Sequence, residues 1–116
     1  MNKKQILKKN YEIEELIKLR QSVGTKNYIL YYKKENETKD TKIAFSISKK
    51  LGNAILRNYQ KRVTKEIVRE ILKDFEGYKM LLVIKRSAID LDYDGKVEQL
   101  NYLFKLLKKK ESANEE

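Results

Sequence analysis

Between Ile43 and Ile71 the chain changes its hydrophobic period once, and that change limits what it can fold into more than any other feature. Ile43, Phe45 and Ile47 alternate with Ala44, Ser46 and Ser48, the two-residue repeat of a strand. Gly52-Asn53 then breaks the pattern, and Asn53 is placed to cap a helix running to about Phe75. In that helix Leu56, Val63, Ile67 and Ile71 fall within one arc of roughly 80°. Arg57, Lys61, Lys65, Arg62 and Arg69 fall on a different arc of about 140°. The spacing therefore predicts a helix with one face for a core and another for a polyanion.

Charge is concentrated in the same place. From position 49 to 69, Lys49, Lys50, Arg57, Lys61, Arg62, Lys65 and Arg69 stand against Glu66 alone, a local net charge of +6 in a chain whose total is +10. Three of the five arginines are among them, and a guanidinium offers the planar fork that matches two phosphate oxygens at once. A solvated charge stripe is the plain alternative. It would leave like charges one turn apart repelling by a few tenths of a kcal/mol per pair, a cost a bound polyanion removes. Nucleic acid is the commonest acidic partner for such a surface. A membrane-surface role fits less well, because the basic helix lacks a broad opposing face of exposed aromatic or leucine anchors.

The rest of the chain points to one α+β domain over residues 1–116. Ile13, Leu16 and Ile17, with Glu12, Glu14 and Glu15 early and Lys18 and Arg20 late, predict a helix over 9–19. Gly24 to Asn27 reads as a turn, and Tyr28 to Tyr32 as a strand in the same sheet as 42–48, joined to it by a hairpin-like polar link over 33–40. Met80 to Ile84 is a continuous apolar run, the mark of a strand covered on both faces, and Gly77 ends the helix before it. Asp90, Asp92 and Asp94 alternate before Gly95 as in a calcium loop, but no bidentate Glu follows at loop spacing, so they read as turn and N-cap residues. Val97, Leu100, Leu103, Phe104 and Leu107 make a last helix, with Lys108 to Lys110 complementing its dipole and a disordered tail expected over 111–116.

With no Cys, His, Trp or Pro, the chain has neither thiolate nor imidazole chemistry to offer, a zinc site would have to be built from carboxylates alone, and no catalytic or metal-binding residue is singled out. The charged start of the chain is not followed by a signal-like apolar run and no stretch approaches spanning length, so a cytoplasmic protein without membrane contact is expected.

Residues 43–70 resemble the signature of the protein subunit of bacterial ribonuclease P, approximately F-S-V-S-K-K-x-G-N-A-V-x-R-N-R-x-K-R-x-x-R-E. The matching text runs from Phe45-Ser46-Ile47-Ser48-Lys49-Lys50 through Gly52-Asn53-Ala54-Ile55 and Arg57-Asn58-Tyr59-Gln60-Lys61-Arg62 to Lys65-Glu66. Leu7 to Asn10, Ser22-Val23, Tyr28 to Tyr31, Leu81 to Lys85 and Leu91 to Tyr93 follow the family in order. The resemblance implies a two-layer α+β sandwich, a small mixed sheet with about three helices, similar to the second domain of ribosomal protein S5 and with a left-handed β-α-β crossover. It implies a subunit that assists a catalytic RNA in removing the 5′ leader of precursor tRNA, with magnesium ions bound mainly by the RNA and no protein oligomer.

By position, the resemblance assigns Lys49, Lys50, Asn53, Arg57, Asn58, Tyr59, Lys61, Arg62, Lys65 and Arg69 to contact with the RNA. Ile13, Ile17 and Tyr31 fall at positions of a cleft for the single-stranded leader, with Tyr28 and Tyr32 as neighbouring candidates for stacking. Ile13 and Ile17 stand where the family usually has Phe, and Tyr59 where it has Arg. Tyr59 could hydrogen-bond, stack or pack on the helix, and Ile13 and Ile17 read equally well as core residues. A non-catalytic RNA-binding protein of the ribosomal type is the alternative function.

Overall fold

The structure is a computed structural model that describes residues 6–7, 10–35 and 37–114. Its elements are α1 (Asn10–Leu19), β1 (Ser22–Gly24), β2 (Tyr28–Lys34), β3 (Lys42–Ile47), α2 (Ala54–Ile71), β4 (Tyr78–Ile84), the single turn α3 (Arg86–Ile89) and α4 (Tyr93–Asn114). Short 3-10 turns at Lys49–Leu51 and Leu72–Asp74 flank α2.

The four strands form one mixed sheet in the order β1-β2-β4-β3. Strand β4 is antiparallel to β2, with Tyr31 opposite Leu81, and parallel to β3, with Ala44 opposite Leu81. The link over 33–40 is therefore not a hairpin: β2 and β3 lie on either side of β4 and share no hydrogen bonds. As the central strand, β4 must be apolar on both faces, which explains its unbroken apolar run. Ile6 bridges Ile43, and the Leu7 N–H donates to the Ile43 carbonyl at 3.0 Å, extending the outer edge of β3.

Strand parity divides the packing. Tyr28, Leu30, Tyr32, Ile43, Ile47, Met80, Leu82 and Ile84 point to one face, where Ile67 and Val68 of α2 and Leu100, Leu103, Phe104 and Leu107 of α4 bury them. Sheet and helices α2 and α4 make the two main layers. On the other face a smaller cluster of Leu7, Leu16, Ala44 and Leu81 forms beneath α1. The helix α2 starts as expected, with Asn53 Oδ1 accepting from the Leu56 N–H at 2.9 Å. Gly77 has φ 71°, and a Cβ there would lie 2.6 Å from the carbonyl oxygens of both Glu35 and Thr38. Its role is to let the link over 33–40 pass close to the start of β4. Asp92 Oδ1 accepts from the Gly95 N–H at 2.7 Å, capping α4. That helix continues to Asn114, so 111–114 are helical where a disordered tail was expected, and 115–116 lie outside the described residues.

Candidate nucleic-acid interface

The face that α2 buries is rotated from the one its apolar residues suggest. Gln60, Thr64, Ile67 and Val68 are buried, while Leu56, Val63 and Ile71 are half-buried on the shoulder. Two polar residues therefore occupy the centre of the buried stripe. Thr64 meets its hydrogen-bonding need inside the helix, its hydroxyl donating to the Gln60 carbonyl at 2.7 Å. Gln60 Oε1 has no partner, and neither has the buried Nε of Arg57 one turn earlier.

The rotation sets how the cations are presented. Arg57, Lys61 and Lys65 are half-buried along the flank beside β3, where Lys65 Nζ lies 5.9 Å from the Phe45 ring centroid. Asn58, Tyr59, Arg62 and Arg69 are exposed, as are Lys49 and Lys50 on the turn leading into the helix. Among the described residues no carboxylate lies within ion-pairing distance of any of these seven cations. Two hollows run along the exposed side, one lined by Asn58, Lys61, Arg62, Lys65, Glu66 and Arg69 and the other by Asn53, Ile55, Leu56, Asn58, Tyr59 and Arg62. The structure thus gathers most of the residues that the motif singles out. Lys49, Lys50 and Arg57 line neither hollow, although Lys49 and Lys50 directly precede the start of α2.

The opposite sheet face, beneath α1, carries the positions expected to form a cleft. Ile13, Tyr31 and Val83 are partly buried against the Leu16–Leu81 cluster, and Ile17 is 46 % exposed at the rim. Tyr28 does not belong to this cleft. Strand alternation turns Tyr28 and Tyr32 to the other face, where both are fully buried in the main core. The residues that share the cleft face instead are Ile29 and Val83, which lie opposite each other in the β2–β4 ladder, and Ser46 next to Val83 on β3. Once Tyr31 is assigned to that face, strand parity gives Ile29, whereas Val83 and Ser46 depend on the registers of β4 and β3. Ser46 leads through Ser48 to Lys49, so the cleft floor continues along β3 toward the basic turn.

Ion pairs close the other end. Lys79 Nζ donates to Glu12 Oε1 at 3.0 Å and Lys33 Nζ to Glu15 Oε1 at 2.7 Å, with Glu35 at 3.4 Å from Lys79 and 3.7 Å from Lys33. The hydrogen bond from Lys33 holds the Glu15 carboxyl below its ordinary pKa, and the Glu15 and Glu12 carboxylates raise Lys33 and Lys79 above theirs. These contacts fasten the acidic side of α1 to the sheet.

Among the described residues no three His, Cys, Asp or Glu gather as they would around a metal ion. No helix among them is long and apolar enough to cross a membrane. The arrangement, a strand, a glycine corner and a helix with an unpaired cationic side, with apolar residues of α1 and the sheet on the opposite sheet face, can hold a nucleic-acid backbone on one side and a single strand on the other.

Comparison with known proteins agrees. The family profile described as Ribonuclease P matches residues 1–108. The chain is 32 % identical over 111 residues to the ribonuclease P protein component of Carboxydothermus hydrogenoformans, covering 94 % of this chain and 96 % of that one. It is 29 % identical over 110 residues to the component from Mycoplasma capricolum, covering 93 % of this chain and all of that one. The RNase P protein of Staphylococcus aureus superposes with a TM-score of 0.83 at 26 % identity, over 90 % of this chain and 95 % of that one. The RNase P protein of Thermotoga maritima shares the fold at a TM-score of 0.72, over 84 % of this chain and 94 % of that one, with 18 % identity. The chain therefore belongs to the ribonuclease P protein component family.

Proposed function

We propose that this chain is the protein subunit of ribonuclease P and acts as follows. The cationic side of α2, with Lys49 and Lys50 ahead of it, binds the backbone of the catalytic RNA. The cleft bounded by Ile13, Ile17, Ile29, Tyr31 and Val83 receives the single-stranded 5′ leader of precursor tRNA. Hydrolysis of the phosphodiester bond takes place in the RNA subunit, where magnesium supplies metal-assisted chemistry, and the protein positions the substrate and relieves phosphate repulsion. The reading places the protein in the cytoplasm with its RNA.

The observation that carries this reading is the cation set of Lys49 to Arg69, held on a strand-turn-helix frame and forming no ion pair with a carboxylate among the described residues, with Glu66 the one acid in the hollow it lines. Unpaired like charges on one helix cost stability, and a polyanion returns it. The aliphatic cleft serves a single strand differently from an aromatic one. Ile13 and Ile17 pack on base faces without π-stacking, leaving Tyr31 as the aromatic platform. Reconstitution tests the proposal. Added to a bacterial ribonuclease P RNA at low magnesium, the chain restores leader cleavage of precursor tRNA, and a failure to rescue overturns it.

A further inference from the structure

The first two turns of α2 carry a surface that phosphate contact does not account for. Ile55 is 81 % exposed and Tyr59, one turn on, is 50 % exposed. Both line the same hollow as Arg62, whose guanidinium carbon lies 5.6 Å from the Tyr59 ring centroid. At positions i, i+4 and i+7 the three form a stripe down one side of the helix. Asn53 and Asn58 stand at its edges. The Oδ1 of Asn53 is taken by the helix cap, while its amide N–H groups and the whole Asn58 amide make no hydrogen bond within the described protein. No carboxylate lines this hollow.

Each part narrows the ligand. A phosphate would use Arg62 but gains nothing from Ile55 or the ring. An apolar protein surface would bury Ile55 and Tyr59 but would have to desolvate the surrounding cations. A flat heteroaromatic group with hydrogen-bonding edges, attached to a polyanion, uses all of it: the ring as a stacking plane, the guanidinium against ring and phosphate, the isoleucine as an apolar wall and the amides at the base edge.

We propose that Tyr59 is a stacking platform for an unpaired nucleobase of the partner RNA, walled by Ile55 and backed by Arg62. The proposal rests on the reading of the chain as an RNA-binding subunit. Where the family motif has Arg, this chain exchanges a phosphate contact, which salt screens, for a stack, which salt leaves nearly untouched.

Affinity for a bacterial ribonuclease P RNA, measured across a salt series for the wild type and Tyr59→Phe, Tyr59→Ala and Tyr59→Arg, tests it. The exposure of Tyr59 makes all three variants compatible with the fold, which circular dichroism checks. Tyr59→Phe stays within about twofold of wild type, and Tyr59→Ala weakens binding about tenfold with an unchanged salt slope. Tyr59→Arg recovers affinity and steepens the slope by roughly one unit. Wild-type affinity in Tyr59→Ala overturns the stack, and so does Tyr59→Phe losing as much as Tyr59→Ala, which would mark a hydroxyl contact. A wild-type chain that fails to bind the RNA at all overturns the underlying reading instead, and the stack with it.

Discussion

Gln60 occupies a place in α2 where an apolar residue would be expected. It is 4 % exposed and its Oε1 has no partner, so the fold carries an unmet acceptor in the packed stripe of its cationic helix. Leaving such a group unpaired costs about 1–3 kcal/mol, and replacing it with an apolar side chain of similar shape removes that cost. Gln60→Met should therefore raise stability by about 1 kcal/mol, measured as a higher urea midpoint at unchanged m-value. The neighbouring orphan, Arg57 Nε, is different in kind. It belongs to a guanidinium that makes no ion pair among the described residues, so a bound phosphate can use the donors that the protein leaves free.

At the scale of the element, α2 and α1 are held by opposite electrostatic logic. Helix α2 keeps its cations unpaired. Replacing Arg57, Lys61, Arg62 and Lys65 together by Gln should flatten the dependence of log Kd on log salt by roughly one unit for each phosphate that the variant no longer neutralises. Helix α1 commits Glu12 and Glu15 to the sheet. Because the Lys33 hydrogen bond depresses the folded-state pKa of Glu15, its contribution is complete above the ordinary value of 4.5 and disappears as pH falls through the lower folded value. Hydrogen-exchange protection of the α1 amides should accordingly hold down to pH 4.5 and fall below it, ahead of the amides of β4. These elements also show what a sequence conveys. The 43–47 alternation and the Asn53 cap are local and can be read directly. The side of the sheet that Tyr28 faces cannot, because Ile29 and Tyr31 are apolar too, and a strand apolar on both faces loses the parity that tells core from cleft. The insertion of β4 between β2 and β3 is hidden for another reason: partner choice is set by packing between distant segments, and a short polar link looks the same whether or not its strands pair.

Across the whole molecule, one sheet separates a large core from a small one, and the large core holds two tyrosines entire. The hydroxyls of Tyr28 and Tyr32 have no hydrogen-bond partner, and burial raises both phenols to about 12. Since the folded values lie above the ordinary 10.0, the stability these groups confer is complete below pH 10 and lost as pH rises through about 12. Alkaline ultraviolet titration should show Tyr28 and Tyr32 ionising only there, together with loss of far-ultraviolet ellipticity. The position of β4 has a consequence in time as well. A ribosome delivers β1, β2, β3 and all of α2 before it delivers Tyr78, yet β3 has no hydrogen-bonded neighbour among the other named strands until β4 arrives between it and β2. A fragment ending at Gly77 should show no cooperative thermal transition, whereas one ending at Asn114 should. During synthesis the nascent chain thus exposes its cationic segment for several seconds at about 5–20 residues per second, with no sheet to hold it. In that interval it is an unstructured polycation beside the ribosome's own RNA, and the arrival of one apolar strand ends that exposure.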